Sequence, residues 1–368
     1  MPFFLMTLKQ VFRQRILWFG VVVIAGLLLV PFFTHRSVST QTTPQVLAVA
    51  SVGEASGQSA ADLKAVADQI SPRLLKAYRT RQAAVARAVR RGDRLGFTQA
   101  MARLLALPLL PGFANSTYRA QFAYLARHHV PYYASYDNHF PWTNYLLKRV
   151  MYAQDTTLII LTLSVVIAWL VTVGQSRHQD ELDAVMPLAA GVKWAVSVIC
   201  VMIASITMLV AALVLASLPV IATAGFGSLF VDVYQESDQG APVIHTLLDA
   251  GGFYALALLG YTAIITGTCL IVSKVSRGFF PSLLVTACVL LLPAAKLLNT
   301  AALDGSWLQY LPAASLNLSR TLLNNQNGTL VGLSLGQTLT ALAVTAAGLL
   351  LVSYLLSHAQ FRRRGESA

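Results

Sequence analysis

Apolar residues in this chain gather into six long stretches, and the polar block 34–154 separates the first from the other five. A helix needs about 20 apolar residues to cross the hydrocarbon core, and irregular backbone is not tolerated against lipid. The stretches near 16–33, 156–174, 193–218, 249–272, 279–299 and 331–356 therefore read as transmembrane helices. The expected architecture is an all-α polytopic membrane protein. Six transmembrane helices carry a large, mostly helical extracytoplasmic insertion between helices 1 and 2. The expected divisions are 1–33, an N-terminal cytoplasmic segment with the first span; 34–154, the extracytoplasmic domain; and 155–368, spans two to six with a short basic C-terminal tail.

Within the polar block, the Ala-, Leu- and Arg-rich segment 61–107 reads as helix. Pro72 suits a helix start or kink, and Gly92-Asp93 an interruption. Leu74, Leu75, Tyr78, Ala84 and Val85 suggest one apolar face, with Arg73, Arg79, Arg81, Arg87, Arg90, Arg91 and Arg94 mostly in solvent. Such a basic helix either meets anionic lipid or substrate or is simply solvated. Residues 34–55 hold a short strand, Val46 to Val52, or a linker, and the aromatic-rich segment 108–147 folds against the helices or lies at the membrane interface. Residues 219–247 and 300–330 are polar enough to leave the bilayer, and the second of these loops is a candidate to dip back into it.

Composition agrees with a membrane class. Only 11% of the 368 residues are charged, against about 25% in soluble domains. The net charge of +12 does not call for nucleic acid, because Lys and Arg also set topology and touch anionic lipid. With both termini in the cytoplasm, the short inner segments hold Lys9, Arg13, Arg15, Arg177, Lys193, Lys274, Arg277 and Arg362–Arg364, as the positive-inside rule requires. The basic flank before residue 16 also fits a signal peptide, but the run 16–33 is long for one and a retained anchor is the preferred reading. Cys200, Cys269 and Cys288 lie in apolar stretches without metal-like spacing and read as packing residues.

Catalytic signatures are absent: there is no phosphate-binding G-x-x-x-x-G-K-[ST], no H-E-x-x-H and no G-x-S-x-G. His128-His129 has no partners at ligand spacing and reads as a surface or interfacial pair, not a metal site. Lys296 is the one strong candidate for an intramembrane charge, either functional or snorkelling to water from the outer end of span five. Energy for any transport would then come from a partner. The sharpest local signal is RHQDELDAVMP between spans two and three. There Leu182, Val185 and Met186 suit one apolar face of a short helix, with Asp180, Glu181 and Asp183 around the rest. It reads as a cytoplasmic docking helix or as an ordinary capped turn.

The one-plus-five layout and this loop together resemble the membrane subunit of an ABC transporter, of the type-2 exporter permease family. Arg177, Glu181, Leu182 and Pro187 match the family's loop frame, while Gln179-Asp180 replaces its usual Gly-Thr. WLQYLPAASLN at 307–317 also resembles the loop before the last span of some Gram-positive members. The resemblance implies a separate cytoplasmic ATPase subunit that binds ATP and Mg, with no cofactor on this chain. It implies a second membrane subunit, identical or homologous, with membrane lipids as the surrounding partners. It makes Arg177, Asp180, Glu181, Leu182, Val185, Met186 and Pro187 the contact with the ATPase, and Trp307, Tyr310, Pro312 and Asn317 an outer gate or re-entrant loop. The rival readings are a membrane sensor or immunity protein binding a ligand through 34–154, a secondary transporter, and a polytopic membrane enzyme.

Overall fold

Long apolar runs bounded by charged or polar ends become helices in the computed structural model. It describes residues 2–35, 72–107, 117–133, 140–151, 156–174, 189–235, 243–276, 278–291, 310–316, 318, 322 and 334–365. In chain order the helices are α1 (Pro2–Phe12), α2 (Arg15–His35), α3 (Pro72–Arg91), α4 (Arg94–Leu105), α5 (Thr117–Arg127) and the short α6 (Trp142–Tyr145). There follow α7 (Thr157–Trp169), α8 (Ala190–Ala224), α9 (Leu247–Ser276), α10 (Phe279–Leu291) and α11 (Leu335–Gly365). α6 and α7 each end in a π-helical stretch, Leu146–Met151 and Leu170–Gly174. Almost all of the described residues are helical.

Among the described residues, four helices are long and apolar enough to cross a membrane: Arg15–Phe33, Ala190–Ala224, Leu247–Ser276 and Leu335–Ala359. They coincide with the expected first, third, fourth and sixth spans. The second and fifth expected spans contain the shorter apolar helices Thr157–Thr172 and Phe279–Leu290. This is a multi-pass membrane protein. The large apolar side chains left outside, such as Phe19, Val22, Val214, Leu218, Val344 and Leu351, are those a lipid solvent would cover.

The all-helical expectation needs one amendment. Strands β1 (Asp232–Gln235) and β2 (Val243–Thr246) pair antiparallel, with Asp232 opposite Thr246 and Gln235 opposite Val243. A second addition is α1, where a simple basic flank was expected. Its Thr7 and Val11 are buried, while Leu5, Met6 and Lys9 are exposed.

The chain clusters into two units. The first comprises Met1–Val30, Ala153–Leu218 and Gly251–Ala368. At its centre α7 is apolar on all sides: Ile160, Leu163, Ser164 and Ile167 are fully covered, and α7 packs along α10. Small residues let other helices close in. A Cβ added to Gly267 on α9 would stand 3.0 Å from Leu349 Cβ and 3.2 Å from its backbone carbon on α11, so the two backbones meet there. Most hydroxyls along these helices donate to the carbonyl four residues back. Examples are Ser164 to Ile160, Ser205 to Val201, Thr262 to Leu258, Thr266 to Thr262 and Thr345 to Ala341.

The second unit comprises Pro31–Tyr152 and Pro219–Ala250. Here α3, α4 and α5 enclose a core of Val85, Ala88, Val89, Phe97, Met101, Leu105 and Phe122. Val85 belongs to the expected apolar face, whereas Leu74, Leu75, Tyr78 and Ala84 are only half-buried. α3 stops where expected. Gly92 takes φ +67°, and the amides of Gly92 and Asp93 donate to Val89 and Ala88 carbonyls at 3.1 and 3.0 Å. Asp93 then caps α4, its Oδ1 accepting the Gly96 amide at 2.8 Å. Tyr132, from the aromatic-rich segment, packs against these helices: its ring meets that of Phe122 at 4.9 Å, and its amide donates to Thr98 Oγ1 at 2.8 Å.

Candidate functional site

In the first unit, a short 3-10 turn is held by buried hydroxyl groups. Leu311 has extended backbone and Pro312, with φ preset by its ring, opens a single 3-10 turn, Pro312–Ser315. Non-helical backbone among apolar helices must find its hydrogen bonds within the protein. Tyr261, fully buried on α9, supplies one: its hydroxyl donates to the Pro312 carbonyl at 2.7 Å and lies 2.9 Å from Ser315 Oγ. Ser315 Oγ is itself 3.2 Å from the same carbonyl, so three oxygens form a closed triangle served by two protons. On the far side of the turn, Thr156 just before α7 donates to the Leu316 carbonyl at 2.6 Å and accepts the Leu318 amide at 3.2 Å. Two side chains, one on α9 and one just before α7, thus hold the backbone at Pro312, Leu316 and Leu318. The turn also packs against α10 and α11, and Ala313, Leu316, Leu318 and Leu322 are buried.

No protein-family model, no curated protein and no solved structure matches this chain. The case for function therefore rests on its own residues.

Of the expected gate residues, Pro312 is buried in the pinned turn and Tyr310 is exposed just before it. Trp307 and Asn317 lie outside the described residues, as does Lys296. So do all seven residues of the expected ATPase contact, Arg177, Asp180, Glu181, Leu182, Val185, Met186 and Pro187. Tyr261, Ser315 and Thr156 were not foreseen. A Tyr in the middle of an apolar run was the available signal, since its hydroxyl needs a partner when buried.

A second polar tie lies at the start of α8. Trp194 Nε1 donates to Ser353 Oγ of α11 at 2.9 Å, and its ring meets that of Tyr354 edge-on at 5.3 Å. Gly191, Trp194, Tyr354 and His358 line an open cleft of about 480 Å³.

The remaining candidates find structural roles. His129 takes the left-handed conformation (φ 54°) that ends α5, and His128 stacks on Phe230 at 5.1 Å. Cys200 and Cys269 are buried as expected, whereas Cys288 is exposed because it falls on an outer face of α10. Arg81 and Arg94 depart from the solvated arginine row: Arg81 Nη1 donates to the Arg103 carbonyl, and the Arg94 guanidinium sits 4.4 Å from the Tyr133 ring centre.

Proposed function

We propose that this chain is the membrane-spanning subunit of an ATP-driven exporter of the ABC type-2 permease kind, working with a separate ATPase subunit that binds ATP and Mg. In this reading six spans cross the bilayer, the second and fifth through α7 and α10. Both termini are cytoplasmic, and residues 34–154 lie outside. Residues 177–187 seat in the ATPase. A second membrane subunit, identical or homologous, completes the path.

One observation carries the preference for an external energy source. Among the described residues of the first unit, the buried polar groups are mainly hydroxyls, such as those of Ser164, Tyr261, Thr262, Thr266, Thr286 and Ser315. Hydroxyls order helices and turns but carry no charge, whereas proton- or ion-driven transport uses ionisable groups at membrane depth. The pinned turn at Pro312–Ser315 adds support. Irregular backbone at such a place is tolerated only where protein or a water-lined path covers it. The substrate class left open by this reading includes peptides, drugs and amphiphiles.

The second reading is a non-transporting sensor or immunity protein. The separate core of the second unit favours it, since a self-contained helical module suits ligand capture. Purification of the chain, expressed with its neighbouring genes, followed by an ATPase assay decides between them. The proposal expects an ATPase to copurify and its activity to fall when Glu181 and Leu182 are both replaced by Ala. A stable chain with no ATPase partner would overturn it in favour of the sensor.

A further inference from the structure

The charge of this protein is concentrated. Residues 72–133 hold 11 Lys and Arg and one carboxylate, Asp93. That carboxylate is engaged at the start of α4 by the Gly96 amide. On α3, the exposed side chains of Arg73, Lys76, Arg79, Arg87, Arg90 and Arg91 fall within an arc of about 120° when the helix is projected at 3.6 residues per turn. The buried Val85, Ala88 and Val89 lie on the opposite side. Six cations therefore form one stripe along a 20-residue helix, about 30 Å long.

A merely solvated helix gains from alternating signs, and like charges three or four apart oppose folding. This stripe holds four such pairs: Arg73 with Lys76, Lys76 with Arg79, Arg87 with Arg90, and Arg87 with Arg91. The described residues offer these six cations no carboxylate partner. An external polyanion would relieve the repulsion along the whole stripe at once.

We infer that the basic face of α3 docks on the anionic headgroups of a phospholipid bilayer. Three observations select that partner. The stripe runs along one continuous 20-residue helix within an arc of about 120°, so a flat surface reaches all six cations. Thr80 and Ala83 fill exposed positions between them and no aromatic ring does, so the stripe lacks the stacking platform that single-stranded nucleic acid uses. The chain enters this unit from the apolar α2 and α8 and leaves it toward the apolar α7 and α9, so the unit is tethered by sequence to helices that lipid would cover. The apolar face of α3 is already spent on its own core, so docking is electrostatic and involves no insertion. The five guanidinium groups suit paired hydrogen bonds to phosphate oxygens. This inference does not depend on an ATPase partner.

The test uses the full chain with Cys288→Ala and Thr80→Cys, labelled at position 80 with a fluorophore. It is reconstituted in nanodiscs of neutral phosphatidylcholine, alone or mixed with anionic phosphatidylglycerol, that carry a headgroup-bound quencher. Quenching is expected in the anionic discs, weak in the neutral ones and reversed by high salt. Replacing Arg79, Arg87 and Arg90 with Gln should lower the docked-to-free ratio on the order of 100-fold, about fivefold per cation. Lys at the same three positions should retain docking, which separates charge from misfolding. Equal quenching in both lipids, or docking unchanged in the Gln variant, would overturn the inference. A label that responds to added heparin but not to anionic discs would overturn it too, and would assign the stripe to a soluble polyanion.

Discussion

Replacing Tyr261 with Phe removes one oxygen and leaves the ring that packs α9 in place. That oxygen donates to the Pro312 carbonyl at 2.7 Å and contacts Ser315 Oγ at 2.9 Å. A buried acceptor stripped of its donor costs about 1–3 kcal/mol in general, and hydrogen bonds between membrane helices average about 0.6 with a maximum near 1.7. Ser315 Oγ already stands 3.2 Å from the same carbonyl and can take over as donor. The expected loss is therefore about 1 kcal/mol. Thr156→Val should do more harm, about 2 kcal/mol, because one hydroxyl serves both the Leu316 carbonyl and the Leu318 amide. Both changes loosen the same turn, so the double variant should fall short of the sum by about 0.5 kcal/mol or more. Stability would be read by SDS titration in mixed micelles, following labelling of Cys200 and Cys269, which are buried in the folded chain, in a Cys288→Ala background. A Tyr261→Phe loss that equals or exceeds that of Thr156→Val would refute the shared-donor argument. Strict additivity would refute the idea of a single turn pinned from two sides.

Three further outcomes follow from local geometry. Gly267→Leu should prevent stable folding or markedly lower the SDS midpoint, since even its Cβ would crowd the Leu349 backbone at 3.2 Å; Gly267→Ala should be milder. Asp93→Ala should destabilise the second unit by about 1 kcal/mol through loss of the α4 cap, seen as faster hydrogen exchange confined to residues 94–98, and Asp93→Ser should recover most of it. Trp194→Phe keeps the edge-on contact with Tyr354 but loses the 2.9 Å bond to Ser353, for an expected cost of about 1 kcal/mol. Ser353→Ala in the Trp194→Phe background should then add little, and a full additive loss from both would mean the bond is not formed.

Much of the scaffold was legible because it depends on local patterns. Uninterrupted apolar runs marked α2, α8, α9 and α11, and the Gly92-Asp93 break followed from turn and capping chemistry within four residues. The pinned turn was harder to see because its bonds are remote in sequence. Tyr261 and Pro312 lie 51 positions apart, and Thr156 and Leu316 lie 160 apart. The loop itself was singled out by Trp307–Asn317, but nothing in that stretch names what holds it. The β1–β2 hairpin escaped notice because each strand is only four residues long within a polar loop. α1 escaped because basic residues between two apolar stretches read as a topology signal before they read as one side of a helix.

The hydroxyls that bond four residues back have a mechanical consequence. Ser205, Thr262, Thr266 and Thr345 each keep their hydrogen bond on their own helix, so it travels with that helix when the helix shifts. Sliding α8, α9 or α11 past a neighbour breaks none of these bonds and meets mainly the friction of interlocking apolar side chains. Resistance of another kind sits at a few riveted points, the Trp194–Ser353 bond and the turn fastened by Tyr261 and Thr156. Among the described residues, the first unit is thus lubricated along its helices and bolted at points such as these, and the bolts decide which displacements are cheap.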